Sequence, residues 1–253
     1  MAEIFTSNLQ RALSQRIPIW GGWLTGPTLL GPEVFAGAGY DYVGFDAQHG
    51  YLDDAGIASM LRRIEHLPVG TVVRLPNADA APIGRVLDAG ADAVVIAMIE
   101  SADQAAEAVA ATRYPPAGIR SFGPLRAGLG REIAALESRV SVFAMIETAA
   151  ALSGLSQICA VDGLAGIYVG PADLAISMGV DVVGATRSPE VLEAIARIHR
   201  AAADAGLVTG IHAGEGKTGR AMAQLGFQMI TLAAESQALR RGAMDHLREA
   251  TGQ

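Results

Sequence analysis

The chain has 253 residues, of which 51% are hydrophobic and 18% are charged, so it can build a large core and lacks the composition of a disordered protein. Its formal net charge is -7 and it has no Lys/Arg-rich block, which disfavours nucleic-acid binding because phosphate contacts need clustered cations. The single cysteine, Cys159, excludes an intramolecular disulfide and fits a reducing cytosol.

Signals for export and membrane insertion are also missing from the sequence. No apolar stretch approaches the roughly 18 residues of a membrane span. The first residues do not form a basic segment followed by a long apolar one, so no signal peptide is expected. We therefore predict a soluble, cytoplasmic protein that binds neither nucleic acid nor membranes.

Short β-branched apolar runs alternate along the chain with Ala/Leu-rich amphipathic segments, which is the pattern of repeated βα units. Before the first run, residues 5–14 predict a helix placed to plug the bottom of a barrel. Helices are predicted at residues 53–66, 80–89, 101–113, 189–205 and 216–224. The predicted strands are residues 19–24, 42–46, 71–74, 93–96, 142–146, 166–169, 208–211 and 229–232.

Eight buried strands in one chain of this length predict a single (β/α)₈ barrel domain spanning residues 1–253. The alternative is an open doubly wound sheet, which usually carries a Gly-rich phosphate loop after an early strand, and no Gly cluster here has that form. One connection, residues 114–137, is rich in Pro and Gly and is unusually long. Loops of that length are often functional.

Polar side chains follow several predicted strands at their C-terminal ends, where α/β enzymes place their chemistry. Glu147 closes the apolar run 142–146, and Asp173 follows the sixth strand just after a Gly-Pro turn. Two carboxylates meeting at one rim suggest a hard divalent cation such as Mg²⁺ or Mn²⁺.

An arginine and two histidines also follow strands. Asp46 and His49 follow the second strand, Arg74 ends the third, and His212 follows the seventh. Together with the acid pair they would supply a metal site, an anion clamp and a proton carrier. From the pattern alone, ion pairs that fix loops at a barrel rim are an equally good interpretation.

Four segments give these residues a more specific meaning. They are Phe45-Asp46-Ala47-Gln48-His49-Gly50, Arg113-Tyr114-Pro115-Pro116-Ala117-Gly118-Ile119-Arg120, Met145-Ile146-Glu147-Thr148 and Val169-Gly170-Pro171-Ala172-Asp173-Leu174. In type and order they resemble the class II pyruvate aldolases of the HpcH/HpaI aldolase/citrate lyase family, the 4-hydroxy-2-oxoheptanedioate aldolase group. The similarity runs from about residue 18 to about residue 247.

The resemblance implies a barrel of the phosphoenolpyruvate/pyruvate type. Such an enzyme makes or cleaves a 4-hydroxy-2-oxoacid, giving an aldehyde and pyruvate, or hydroxypyruvate, through a metal-held enolate. Glu147 and Asp173 match the ligands of a divalent metal ion (Mg²⁺, Mn²⁺ or Co²⁺). Arg74 matches the residue that holds the pyruvyl oxygens. His49 matches the catalytic histidine, and Asp88 matches an acid that pairs with it.

Other positions are assigned by the same resemblance. Gly170 and Ala172 match backbone N–H groups that face the substrate carboxylate, and Trp23 matches an aromatic wall of the pocket. Asp46 is expected to hydrogen-bond His49 or a metal-bound water, and Gln48 stands where many relatives have Glu.

The aldehyde half of the substrate stays open at this stage. The choice is expected to depend on the loop around Phe122 and on His212, which stands where relatives often have an apolar residue. A solvated histidine at the rim is an equally good interpretation of His212. The family usually forms dimers through an exchanged last helix, assembled into hexamers as trimers of dimers. Residues 235–250 are the candidate for that helix.

Two alternatives remain. One is a lyase of the citrate or malyl-CoA type that acts on an acyl-CoA thioester, which the lack of a cationic patch for the CoA phosphates disfavours. The other is a non-catalytic 2-oxoacid-binding barrel. A Schiff-base aldolase is not expected, because the only lysine, Lys217, lies in a loop-helix stretch and not in a strand.

Overall fold

The computed structural model describes residues 6–15, 17–28 and 30–252. Eight parallel strands form a closed barrel in chain order, and the last strand pairs with the first. The strands are β1 (Ile19–Leu24), β2 (Tyr42–Asp46), β3 (Gly70–Leu75), β4 (Ala93–Ile96), β5 (Ser141–Ile146), β6 (Gly166–Val169), β7 (Val208–His212) and β8 (Met229–Ala234). The (β/α)₈ barrel is confirmed, and each predicted strand lies within two residues of the observed one at both ends.

The helices surround this barrel, mostly one or two after each strand. In chain order they are α1 (Asn8–Gln15), α2 (Leu30–Gly37), α3 (Asp54–Arg63), α4 (Ala80–Asp88), α5 (Ala102–Thr112), α6 (Ile133–Ser138), α7 (Ala149–Ser153), α8 (Leu155–Cys159), α9 (Pro171–Ser177), α10 (Pro189–Asp204), α11 (Gly216–Gln224) and α12 (Glu235–Thr251). One correction follows, because helix α3 ends three residues before the prediction. The long connection, residues 114–137, includes the start of α6.

Local sequence signals explain where several helices begin and end. The side chains of Asp53, Ser101 and Thr148 each accept a hydrogen bond from a backbone N–H in the first turn of α3, α5 and α7, which satisfies a donor that the helix itself cannot pair. Gly90 and Gly226 follow α4 and α11 with a φ of 102°, a conformation that residues with a Cβ rarely adopt.

Aromatic rings fill the inside of the barrel because neighbouring strands carry glycine beside them. A Cβ added to Gly21 would overlap the Tyr42 ring, and one added to Gly44 would overlap the indole of Trp23. The hydroxyl of Tyr42 lies 2.8 Å from Thr231 Oγ1 in this interior. The glycines therefore leave the space that the large rings occupy, and the rings lie beneath the C-terminal mouth of the barrel.

Helix α1 closes the opposite, N-terminal end. Leu9 is fully buried and packs with the inner cluster that includes Ile19, Val72 and Phe143. A Cβ added to Gly70 would lie 2.9 Å from the Leu9 Cα, so β3 and α1 approach each other closely. The predicted plug is confirmed, although residue 5 of that prediction lies outside the described residues.

The last helix differs from the others because it has no buried residue. Leu239, Met244 and Leu247 are exposed along it, with 76% of Leu239 accessible to solvent. Among the helices of the described ranges, none is long and apolar enough to cross a membrane.

Candidate active site

A cavity of about 640 Å³ opens at the C-terminal mouth of the barrel. Its walls come from the ends of β1, β2, β3, β6 and β7 and from the segments that follow them, as the parallel strands require. The structure thus brings together most of the candidate residues proposed from the sequence. Those that line the cavity are Trp23, Asp46, His49, Arg74, Gly170, Ala172, Asp173 and His212.

Asp46 is the centre of a buried hydrogen-bond network. Its Oδ1 accepts from Arg74 Nε at 3.0 Å and from the backbone N–H groups of Gln48 and His49, each at 3.0 Å. Its Oδ2 accepts from Trp23 Nε1 at 3.0 Å and from Arg74 Nη2. Burial favours the neutral acid, but the hydrogen bonds and charge of Arg74 outweigh it and hold the pKa of Asp46 below its ordinary value.

This network fixes two side chains that face the cavity. Arg74 uses Nε and Nη2 on Asp46, so its Nη1 is the guanidinium nitrogen left for a ligand. The Trp23 indole is tied to Asp46, stacks on Tyr168 at 6.2 Å between ring centroids, and has the Arg74 guanidinium 5.6 Å from its centroid. The predicted pocket wall is therefore a rigid one.

Glu147 is completely buried at the end of β5. Its Oε1 accepts the backbone N–H of Met98 at 2.9 Å, whereas Oε2 has no hydrogen-bond partner among the described residues. Burial, and next to it the charge of Asp173, raise the pKa of Glu147, while the Met98 hydrogen bond opposes the rise. A buried carboxylate oxygen without a partner is costly, so a ligand is expected there.

The acid pair fits a hard divalent cation by its donor chemistry. Asp173 lies in the first turn of α9 and faces the cavity, and Gly170, just before that helix, packs directly against Glu147. Two carboxylates are oxygen donors and leave further coordination positions for a substrate and water. No cluster of three or more His, Cys, Asp or Glu suited to a metal occurs in the described part of the chain.

His49 and Gln48 follow β2 at the rim. His49 is exposed and lines the cavity, and its contact with Asp46 uses the backbone N–H, not the ring. Gln48 likewise donates its backbone N–H to Asp46, and its side-chain Oε1 is buried without a partner in the described residues. Asp46 therefore positions the loop that carries His49 and does not orient the imidazole.

Two expectations are wrong for a single chain. Asp88 ends α4, which runs from the C-terminal end of β3 to the N-terminal end of β4, so this acid lies at the opposite end of the barrel from His49. There it pairs with Arg120 Nη2 at 2.8 Å. Phe122 lies at the same N-terminal end, packs against Tyr114 at 5.8 Å between centroids, and does not line the cavity.

His212 occupies the end of β7 and lines the cavity, as the sequence placed it. Its ring meets Trp23 at 90° with 5.5 Å between the centroids. Burial, and next to it the charge of Arg74, lower the pKa of His212 to about 4. The imidazole is therefore neutral at pH 7.

Two supporting groups were not predicted from the sequence. The backbone N–H of Met98 holds Glu147, with Met98 at a φ of 58° that non-glycine residues seldom adopt. Glu235 Oε1 accepts from the backbone N–H groups of Thr25 and Gly26, at 2.9 and 3.0 Å, and so ties the loop after β1 to α12. No pattern in the sequence marks the Met98 contact, because it uses a backbone group.

The fold and the position of these side chains define a (β/α)₈-barrel enzyme that works at the C-terminal mouth of its barrel. The profile of the HpcH/HpaI aldolase/citrate lyase family matches residues 21–241, so the chain belongs to that family and is a carbon–carbon lyase. The family is divalent-metal dependent.

Known relatives are similar along nearly the whole chain. A hydroxypyruvate/pyruvate aldolase of Paraburkholderia phytofirmans is 36% identical over 97% of this chain and 98% of that protein. A 4-hydroxy-2-oxo-heptane-1,7-dioate aldolase of Salmonella dublin is 34% identical over 92% of this chain and 90% of that one. The crystal structure of a family member from Burkholderia cenocepacia superposes with a TM-score of 0.88 at 33% identity, covering 96% of this chain and 98% of the other. The family resemblance seen in the sequence is confirmed.

Proposed function

We propose that this protein is a class II aldolase that cleaves a 4-hydroxy-2-oxoacid into an aldehyde and pyruvate, or hydroxypyruvate. The observation that carries the proposal is that Asp173 and Arg74, the arginine held by Asp46, line one cavity, and that the charges of both act on the completely buried Glu147. The acid pair suits a cation and the arginine suits the anionic oxygens of a 2-oxoacid.

Glu147 Oε2 and the Asp173 carboxylate would hold the divalent cation. When bound, such an ion supplies Lewis acidity that stabilises negative charge on the keto oxygen. Mg²⁺, Mn²⁺ and Co²⁺ are all acceptable to this oxygen donor set, so the donor set does not choose among them. Met98 contributes by fixing the other oxygen of Glu147 through its N–H.

Arg74 binds the pyruvyl oxygens through the nitrogen that Asp46 leaves free. Because Asp46 holds the guanidinium with two hydrogen bonds, little side-chain motion is lost when the substrate binds. The guanidinium also lies where enolate charge develops, so its stabilisation grows in the transition state. The backbone N–H groups of Gly170 and Ala172, at the start of α9, are assigned to the substrate carboxylate.

His49 is the group assigned to proton transfer at the rim of the cavity. In the cleavage direction the proton of the C4 hydroxyl is removed, the C3–C4 electron pair moves to the enolate, and the aldehyde leaves. Protonation of C3 then gives pyruvate. An imidazole can both accept and donate a proton, so it suits both transfers.

The Asp88–His49 pair implied by the family resemblance requires a second subunit, because the two residues lie at opposite ends of one barrel. The same holds for Phe122 as a residue that contacts the aldehyde. We assign both residues to the site of a neighbouring copy, where the N-terminal end of one barrel would meet the C-terminal mouth of another.

A homo-oligomer built through α12 is part of the proposal. The apolar side of this helix is uncovered, and a cavity of about 540 Å³ lies between the end of α2 and α11, with Trp20, Tyr40 and Leu232 in its walls. The α12 helix of a second copy would pack on this cavity, and its exposed leucines would be covered at the same time. Removal of apolar area from water drives such packing. We propose dimers of this kind assembled into a hexamer, located in the cytoplasm.

An aldol screen tests the function. Pyruvate and hydroxypyruvate are each offered with a panel of aldehydes, with and without added Mg²⁺, Mn²⁺ or Co²⁺, and the aldol products are quantified by chromatography. Metal-stimulated product formation is expected. Turnover of malyl-type CoA thioesters without any aldol product would favour the acyl-CoA lyase. Pyruvate binding without turnover of either kind would favour the non-catalytic barrel.

A further inference from the structure

The β7 side of the cavity carries a polar side chain that the proposed mechanism does not use. His212 faces the cavity, and neither ring nitrogen has a hydrogen-bond partner among the described residues. Its ring is held in place by the perpendicular contact with Trp23, which Asp46 in turn immobilises. A fixed imidazole with free nitrogens is available to a bound molecule.

The chemistry of this imidazole is that of a neutral hydrogen-bonding group. Burial lowers the pKa of His212 and the charge of Arg74 lowers it further, so the ring does not carry a charge at neutral pH. A neutral imidazole has one N–H donor and one nitrogen acceptor. A hydroxyl group, which both donates and accepts, is the small group that matches it.

The neighbouring wall continues this polar character. Thr218 Oγ1 donates to Glu215 Oε1 at 3.0 Å, and both residues line the same cavity just after His212 in the chain. The acid pair and Arg74 belong to β5, α9 and β3, on the part of the mouth assigned to the 2-oxoacid. The β7 side is therefore the part left for the aldehyde. Glu215 and Arg187 line the cavity with one charge of each sign, and a neutral hydroxylated group is compatible with both.

We propose that His212 recognises a hydroxyl group on the carbon next to the aldehyde carbonyl, so that the acceptor is a 2-hydroxyaldehyde in preference to the alkyl aldehyde of the same size. This inference rests on the proposed aldolase function. It makes His212 a specificity-determining residue, since a site that hydrogen-bonds a hydroxyl discriminates against the analogue without one.

The test compares glycolaldehyde with propanal as acceptors for pyruvate in the metal-loaded protein. Wild type is expected to prefer glycolaldehyde in kcat/KM by about tenfold or more. His212→Leu should remove at least about tenfold of that preference, mainly by slowing the glycolaldehyde reaction. His212→Asn, which keeps a donor and an acceptor, should restore part of it. His66→Leu makes the same chemical change on an exposed residue and should leave the ratio as in wild type.

Three results would overturn the assignment. Equal losses with both acceptors in His212→Leu and His212→Asn would mean that His212 supports catalysis or structure generally. Values of kcat/KM that are the same as in wild type for both acceptors would mean that His212 does not contact the acceptor. If the effect of His212→Leu depends on whether the 2-oxoacid is pyruvate or hydroxypyruvate, and not on the aldehyde, His212 would contact the hydroxyl of the 2-oxoacid. Absence of any aldol product in wild type would instead contradict the proposed function itself.

Discussion

Asp46 offers a sharp test of how the site is organised, because one buried carboxylate holds both the arginine and the aromatic wall. Asp46→Asn keeps the shape of the side chain but removes its charge and one acceptor oxygen. The amide NH₂ would then face donors of Arg74 or Trp23, which themselves need acceptors. Arg74, only 9% exposed, would be left without its counter-ion.

The expected cost follows from the burial of the pair. Removing one partner of a buried ion pair typically destabilises a protein by about 3–5 kcal/mol, since the other charge stays buried and uncompensated. For a chain of this length each kcal/mol lowers the melting temperature by about 2–4 °C, so a fall of about 6–20 °C is expected. Asp54→Asn is the matched control, because the Asp54–Arg85 pair lies at the surface, with Arg85 exposed and Asp54 half-buried, and such a pair is worth only about 0–1 kcal/mol.

Calorimetry or thermal circular dichroism measures the stability, and steady-state kinetics measures the binding of pyruvate. A double-mutant cycle with Arg74→Met isolates the pair: the double variant should be less destabilised than the sum of the single variants, because neither charge is then left alone. Asp46→Asn should also raise the KM for pyruvate, because Arg74 loses its fixed orientation. An effect no larger than that of Asp54→Asn, with an unchanged KM, would refute the role given to Asp46.

The other predictions concern the cation site, pH and assembly. Gly170→Ala places a Cβ against Glu147 Oε2 and should weaken Mn²⁺ binding measured by calorimetry. Gly84→Ala is the control, because a Cβ there meets open space beside α4. It should leave Mn²⁺ binding unchanged and stabilise the helix by about 0.5–1 kcal/mol. His212 has a folded pKa of about 4, below its ordinary value of 6.5, so protonation at low pH favours the unfolded state. As the pH falls from 7 to 4, the free energy of unfolding of wild type should decrease by up to about 3 kcal/mol relative to that of His212→Leu. Urea titrations in which the two proteins show parallel pH profiles would contradict this. Leu239→Asp with Leu247→Asp should yield monomers in light scattering, and an intact oligomer would exclude α12 as the contact.

Much of the architecture follows from hydrophobic patterning. Most strand ends could be predicted because the apolar run stops at a polar residue or a glycine, although the run of β4 continues into Ala97. The parallel arrangement then places Glu147, Asp173 and Arg74 at one mouth. The same reasoning, applied to Asp88, would have placed it at the other end, because it closes a helix and not a strand. Family resemblance alone supplied its link to His49, and one chain does not contain that contact.

The remaining contacts depend on distances that no local pattern encodes. The hydrogen bond from Trp23 to Asp46 joins two strands 23 residues apart, and its geometry depends on the space that Gly44 leaves for the indole. The N–H of Met98 reaches Glu147 because the backbone there adopts a positive φ, and a methionine in the sequence does not predict that conformation. The exposed side of α12 is where we propose that a partner chain packs.

The most direct test of the central claim is pyruvate release from a 4-hydroxy-2-oxoacid by protein treated with EDTA and then given Mg²⁺, Mn²⁺ or Co²⁺, with Glu147→Gln measured in parallel. Lactate dehydrogenase coupling records the pyruvate. We expect EDTA to abolish cleavage, at least one of the ions to restore it in wild type, and Glu147→Gln to stay inactive at the same ion concentration. Cleavage that survives EDTA, or a pyruvate adduct trapped by borohydride on Lys217, would contradict it.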